Sequence, residues 1–156
     1  MNKYFCSACG AEIADTVHWP RHCNACGREH YRNPIPVAVV MVPVDGGILT
    51  VRRAIPPGIG KLALPGGFIN DGETWQEGGA REVLEETGLT IAPGDLSLLD
   101  AVSVEAGNLL LFCLAPPQTP SGYVANSEVL EVVIVREPTE LAFSSHTDQL
   151  KRHFNR

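Results

Sequence analysis

Apolar positions are sparse through residue 33 and dense and strand-like from residue 34 onward, so the chain reads as two regions, 1–33 and 34–156. Pro34 and Pro36 resist helix and suit an extended junction between them. Residues 37–44 are almost continuously apolar, the pattern of a strand covered on both faces. Asp45-Gly46-Gly47 signals a turn, and 48–52 resumes as a hairpin partner. Residues 54–61, with two prolines and two glycines, must be loop, and 62–64 is a short strand ended by a turn at Pro65-Gly66-Gly67. Residues 74–87 carry a helical pattern, with Gly88 where a C-terminal cap belongs. A second hairpin is expected from 96–104 and 109–115 around Ala106-Gly107-Asn108, then a proline-rich loop at 116–122 and a strand at 129–135. A last helix is expected at 144–154, with Ser144 available as N-cap. Strands interspersed with two helices predict an α/β domain whose helices cover a mixed sheet.

Helix 74–87 is the most informative segment. At about 100° per residue, Ala80, Val83, Leu84 and Thr87 share the side expected to face the sheet. Glu82 and Glu86 are i,i+4 neighbours on the opposite side, with Glu85 three residues from Glu82. Three carboxylates brought together repel one another, and a hard divalent cation relieves the repulsion. Oxygen donors without His or Cys favour Mg²⁺ or Mn²⁺ over zinc. An isolated E-x-x-E-E is ordinarily a solvated surface, so the surroundings decide. Pro65-Gly66-Gly67 offers backbone with few side chains, open to close approach by a phosphate or metal. Gly67 is followed after five residues by Glu73, and after seven more by Arg81-Glu82-Val83-Leu84-Glu85-Glu86-Thr87-Gly88-Leu89.

That spacing resembles the Nudix box, G-x5-E-x7-R-E-U-x-E-E-x-G-U with U a bulky aliphatic, and every fixed and aliphatic position is met. The resemblance implies a Nudix α/β/α sandwich. It implies that Glu82, Glu85 and Glu86 hold catalytic Mg²⁺ with the Gly67 carbonyl as a further ligand. It also implies that Arg81 orients the carboxylates and Glu73 ties loop to helix. Glu128 resembles the extra glutamate that many relatives bring from a later loop, and Glu105 is the weaker candidate. Arg53 falls in a lead-in, residues 51–68, similar to that of zinc-ribbon Nudix proteins, and is a candidate substrate contact beside Glu128. Two departures from relatives stand out: Leu62 where Trp is frequent, and Asn70 where Glu is frequent. The implied reaction is hydrolysis of the diphosphate linkage in a nucleoside diphosphate derivative (FAD, ADP-ribose or NADH-like), giving two phosphate monoesters. A homodimer is implied by the same likeness.

Residues 1–33 change the picture a second time. Cys6-x-x-Cys9 and Cys23-x-x-Cys26, thirteen residues apart, have the spacing of a four-cysteine zinc site, and Gly10 and Gly27 follow the second cysteine of each pair. A segment of this size does not fold on apolar burial alone, so a structural Zn²⁺ fits. The redox reading of C-x-x-C needs a strand-to-helix setting that is absent here. His18, His22 and His30 are not needed as ligands; Cys113 reads as a buried core thiol, and Trp19 and Tyr31 as residues that pack on the main domain rather than line a substrate cleft.

Composition adds limits. Hydrophobic residues make up 44% and charged residues 19%, the profile of a packed globular protein. A net charge of −6 disfavours general nucleic-acid binding, though not recognition of one terminal nucleotide. No apolar stretch approaches the roughly 20 residues of a membrane span, and the start of the chain lacks a signal-peptide core. The cytoplasm is therefore the expected compartment, which agrees with paired cysteines as metal ligands. Two other functions are open: a Nudix-like domain that senses a nucleotide without cleaving it, and a hydrolase directed at an RNA cap. Sensors of the first kind usually lose carboxylates, and this chain keeps them.

Overall fold

The computed structural model describes residues 3–14, 18–105, 107–119, 122–123 and 126–155. The chain forms two compact units, Met1–Pro34 and Ile35–Arg156.

The first unit contains two small antiparallel hairpins: β1 (Tyr4–Phe5) with β2 (Glu12–Ile13), and β3 (Arg21–His22) with β4 (Glu29–His30). Each hairpin encloses a cysteine knuckle of the same construction. The Gly10 amide donates to the Cys6 carbonyl at 2.9 Å, and the Gly27 amide to the Cys23 carbonyl at 2.8 Å. Both glycines are left-handed, at φ 74° and 77°, which a side chain would strain. The Arg21 guanidinium lies 3.8 Å from the Tyr4 ring centre and 4.5 Å from that of Trp19. Trp19 thus packs within the first unit, and the Tyr31 hydroxyl donates to Glu29 at 2.6 Å.

The second unit opens with β5 (Ile35–Met41), β6 (Pro43–Val44) and β7 (Gly47–Arg53), followed by β8 (Leu62–Ala63) and β9 (Gly66–Phe68). Then come α1 (Trp75–Thr87), β10 (Ser97–Val104), β11 (Asn108–Leu114), β12 (Val129–Val135) and α2 (Ser144–Phe154). One four-stranded sheet has the order β10-β11-β5-β9, mixed because β5 and β11 run parallel. The other has the order β12-β7-β6, with β8 also on β7.

Three expectations are corrected here. The apolar run 37–44 is two strands, not one: β5 joins the first sheet, and only Pro43–Val44 forms the hairpin with Gly47–Ile48. Pro65-Gly66-Gly67 is not a simple turn, because Gly66–Phe68 is a strand antiparallel to Val37–Val39. A Cβ on Gly66 would stand 2.8 Å from the Val39 Cα, so only glycine permits this approach. Helix α2 begins at Ser144, but its N-cap is Phe143 and no side chain caps it. Of the expected loop segments, Ala106, Pro120 and Ser121 lie outside the described residues.

Alternation along β5 explains the layers. Val40 and Val42 join Ala80 and Val83 of α1 in one buried cluster, while Val39 and Met41 join Leu150 of α2 in another. Successive strand residues point to opposite faces, so β5 is covered on both sides and must be apolar throughout. The architecture is an α/β/α sandwich, as expected. Gly79 allows α1 to lie close on β5, since a Cβ there would meet a Val40 methyl at 3.1 Å.

Candidate active site

Helix α1 is delimited by local chemistry. Thr74 caps its N-terminus through a reciprocal capping box with Glu77, and Gly88, left-handed at φ 75°, closes it by donating to the Leu84 carbonyl. Its orientation differs from the simple helical wheel: Leu84 is 47% exposed, and Glu86 is buried beside Gly78, Gly79, Ala80, Val83 and Thr87. The reason is tertiary. Strand β9 presents glycine backbone to this flank, and the Gly66 amide donates to Glu86 Oε2 at 3.0 Å. At Gly67 a Cβ would sit 2.6 Å from Glu82 Oε2, so the Glu82 carboxylate occupies the space a side chain would fill.

The three α1 glutamates share a cleft of about 270 Å³ with Asn126, Ser127 and Glu128. Among the described residues, their carboxylates are not gathered within 4.8 Å of one another as the cysteine sulfurs are. Glu82 and Glu85 share one partner, and Glu86 has another. Arg81 Nη1 donates to Glu82 at 2.7 Å and to Glu85 at 3.2 Å, while Glu86 takes the Gly66 amide. Arg81 also makes a two-pronged bond to Glu73, Nε to Oε1 at 2.7 Å and Nη2 to Oε2 at 3.0 Å, and donates to the Phe68 carbonyl at 2.9 Å. Glu73 in turn accepts the Asn70 amide at 2.9 Å. Arg81 and Glu73 thus join the loop after β9 to α1.

Electrostatics follow this geometry. Burial, with the neighbouring Glu82 and Glu128 charges adding to it, lifts the Glu86 carboxyl to about 8 against the pull of the Gly66 amide and Arg53. Burial also raises Glu82, although Arg81 opposes it. The hydrogen bonds from Arg81 and the Asn70 amide hold Glu73 down at about 2, and the same partnership raises Arg81. A buried carboxyl that stays protonated beside two others in a cleft suits a divalent cation, which would replace the proton. The donors are all oxygen, fitting Mg²⁺ or Mn²⁺.

Of the outlying candidates, Glu128 reaches the cleft rim and Glu105 is not among its lining residues. Arg53 donates to the Pro57 carbonyl at 2.8 Å and lies 5.3 Å from the Phe143 ring centre, bracing the 54–61 loop. Two residues escaped the sequence reading. Asn126 donates from Nδ2 to the Glu85 carbonyl and accepts the Glu128 amide at 2.8 Å, which ties the glutamate-bearing loop to α1. His146 accepts the Leu64 amide on Nδ1 at 3.3 Å. Neither belongs to a sequence pattern, since the Glu85 carbonyl lies 41 residues from Asn126 and the Leu64 amide 82 from His146.

In the first unit, Cys6, Cys9, Cys23 and Cys26 place their sulfurs within 4.8 Å of one another. The Cys6–Cys26 and Cys9–Cys23 separations are 3.6 and 3.7 Å. A tetrahedron with Zn–S of about 2.3 Å has edges of about 3.8 Å, so this four-sulfur set fits zinc. Burial opposes ionisation of Cys6, but the Ala8 and Cys9 amides, with His30 and Cys26, hold its thiol down at about 5. His30 Nε2 lies 3.3 Å from the Cys6 sulfur.

The second unit is an α/β/α sandwich in which a glycine strand faces a carboxylate helix, and known proteins share its fold. The NUDIX domain model matches residues 33–109. The chain is 36% identical over 94 residues to an ADP-ribose pyrophosphatase of Methanocaldococcus jannaschii, and 33% identical over 88 residues to a NAD-capped RNA hydrolase NudC of Yersinia pestis. These matches cover 60% and 56% of the chain but only 48% and 34% of those relatives. A crystal structure of a NUDIX hydrolase from Nitrosomonas europaea aligns with a TM-score of 0.75 at 28% identity, covering 97% of this chain and 90% of the other. Residues 33–109 carry a NUDIX domain, and the fold aligns with that of a Nudix hydrolase over nearly the whole chain.

Proposed function

We propose that residues 34–156 form a hydrolase that cleaves the diphosphate linkage of a nucleoside diphosphate derivative (FAD, ADP-ribose or NADH-like), releasing two phosphate monoesters. The observation that carries this reading is the buried Glu86 on the Gly66 amide, beside Glu82, Glu85 and Glu128 around one cleft. Glu82, Glu85, Glu86 and the Gly67 carbonyl would hold Mg²⁺ or Mn²⁺. The cation would neutralise the diphosphate and make water easier to deprotonate. Arg81 orients Glu82 and Glu85, Glu73 fixes Arg81, and a glutamate of the cleft accepts the proton from the attacking water. Arg53 and Glu128 contact substrate in this proposal. About 270 Å³ lies just below the range of roughly 300–1,000 Å³ of sites that enclose whole ligands, so the cleft suits the diphosphate while the rest of the substrate extends beyond it.

The four-cysteine unit, residues 1–33, acts as a zinc ribbon with a structural Zn²⁺. The free thiols suit a reducing compartment such as the cytoplasm, and no helix among the described residues is long and apolar enough to cross a membrane. Assembly as a homodimer belongs to the same reading and is checked by light scattering.

The test is a panel of FAD, ADP-ribose, NADH and nucleoside triphosphates with Mg²⁺, read for phosphate-monoester products. The likeness to the NAD-capped RNA hydrolase adds an NAD-capped oligonucleotide to the panel. Cleavage of the oligonucleotide alone would favour the cap-directed reading. Binding without turnover of anything would favour a sensor.

A further inference from the structure

Between β8 and β9 the chain leaves one sheet for the other. Leu64 lies in this crossover, outside both strands and 2% exposed. A backbone amide there cannot take a ladder partner from either sheet, and an unsatisfied buried N–H is costly. The Leu64 amide instead donates to His146 Nδ1 of α2, 82 residues away and itself 7% exposed. A second tie lies alongside, from the Ala142 amide to the Leu62 carbonyl at 2.7 Å. The His146 ring is wedged by Phe112 at 5.6 Å and Phe143 at 4.9 Å between centroids, which leaves it little freedom to turn. Burial, reinforced by the Arg53 charge, depresses the ring to about 3, so it is neutral near pH 7 with the Nδ1 lone pair free to accept.

The next residues carry the site. The Pro65 carbonyl accepts the Val40 amide at 2.8 Å, the Gly66 amide meets Glu86, and Gly67 lies against the Glu82 carboxylate. Only Pro65 separates the residue bonded to His146 from the residue bonded to Glu86. We propose that His146 is a positioning residue for the carboxylate site, its Nδ1 anchoring the crossover so that Gly66 and Gly67 meet Glu86 and Glu82 in register. This rests on the reading of the carboxylate cleft as the divalent-cation site. It gives α2, which contributes no residue to the cleft lining, a part in cation binding. Partners bonded directly to metal ligands commonly alter affinity about 10- to 100-fold, and His146, acting through the backbone that carries Gly66, belongs at the low end.

The test uses the full chain and Mn²⁺ alone, with free Mn²⁺ read by electron paramagnetic resonance. His146→Leu keeps apolar bulk but removes the acceptor; His146→Asn places an oxygen where Nδ1 stood. The expected result is a roughly tenfold loss of Mn²⁺ affinity in the leucine variant, near-native affinity in the asparagine variant, and unchanged zinc content in both. A folded leucine variant that binds Mn²⁺ like the parent overturns the proposal, as do leucine and asparagine variants that are equally weak. Should the leucine variant fail to fold, ¹⁵N shifts of the imidazole in the unaltered protein decide. Nδ1 must be unprotonated and hydrogen-bonded, and a proton on Nδ1 overturns the assignment. Glu86→Gln separates the two levels. If it loses Mn²⁺ while the leucine variant does not, His146 alone is misassigned; if it binds like the parent, the cation site itself is wrong.

Discussion

Glu86 combines two properties that pull apart, a charged role and a buried place. In the metal-free protein its carboxyl holds a proton up to about 8, whereas an ordinary glutamate releases it near 4.5. The folded state therefore binds more protons than the unfolded state between those values, and stability falls as pH rises through that window. His146 has the opposite sign: it is depressed from 6.5 to about 3, so its contribution is complete above 6.5 and lost as pH falls toward 3. Between 6.5 and 8 His146 no longer contributes to the pH dependence, while Cys6, held down at about 5, adds stability as pH rises, so Glu86 is isolated by comparing the parent with Glu86→Gln. Thermal unfolding in chelator should show the parent losing Tm relative to Glu86→Gln across this interval. Because a cation must displace that proton, Mg²⁺ affinity should increase with pH up to about 8, and calorimetry in buffers of different ionisation enthalpy should detect proton release on binding. Turnover should likewise rise from acid to alkaline pH and fall on the order of a hundredfold or more in Glu86→Gln. An acid optimum near pH 5 would contradict this assignment. The repulsion among carboxylates was legible in the spacing Glu82, Glu85, Glu86; the burial of Glu86 was not, because it depends on β9 lying against the helix.

Among the elements, α1 and α2 are held in different ways. Helix α1 has strong local signals at both ends, Gly88, which the sequence reading used, and the Thr74–Glu77 box, which the structure added. Thr74→Ala should cost about 1 kcal/mol by urea denaturation, with most activity kept. Helix α2 has no side-chain cap and depends on its packing. Leu150 is fully buried against the sheet, so Leu150→Ala should cost about 2–5 kcal/mol. Leu84, assigned to the sheet-facing side by periodicity, is 47% exposed, and Leu84→Ala should stay within about 0.5 kcal/mol. Equal losses at Leu84 and Leu150 would show that the periodic face, not the observed one, is buried. Gly67→Ala places a methyl against the Glu82 carboxylate and should weaken Mn²⁺ binding more than it lowers Tm.

At the scale of the molecule, the proposed function places two metal chemistries in one chain. Soft thiolates in a four-sulfur set close the coordination sphere, whereas the glutamate cleft offers hard oxygens open to solvent. Brief EDTA treatment and desalting should abolish turnover while about one zinc per chain remains, as one four-cysteine site requires. Mg²⁺ alone should then restore activity. Cys23→Ser should lose zinc and loosen the first unit. Elemental analysis beside Mg²⁺-dependent turnover is decisive: activity that tracks zinc would overturn the division between the two sites.

What the sequence determined by itself was whatever local spacing encodes. The C-x2-C pairs with Gly10 and Gly27, the capped helix, and the interval from Gly67 through Glu73 to Glu86 are all short-range patterns, each set by knuckle, turn or helix geometry. Tertiary structure decided where long-range partners meet. The apolar run 37–44 could not reveal that it divides between two sheets, because both halves are buried and alternation gives no signal in a strand covered on both faces. The glycines at 66 and 67 read as a turn, since only the approach of β5 makes them a strand. Asn126 and His146 meet backbone far away in sequence, and the strands and helices that bring those partners together exist only once the sheets have assembled.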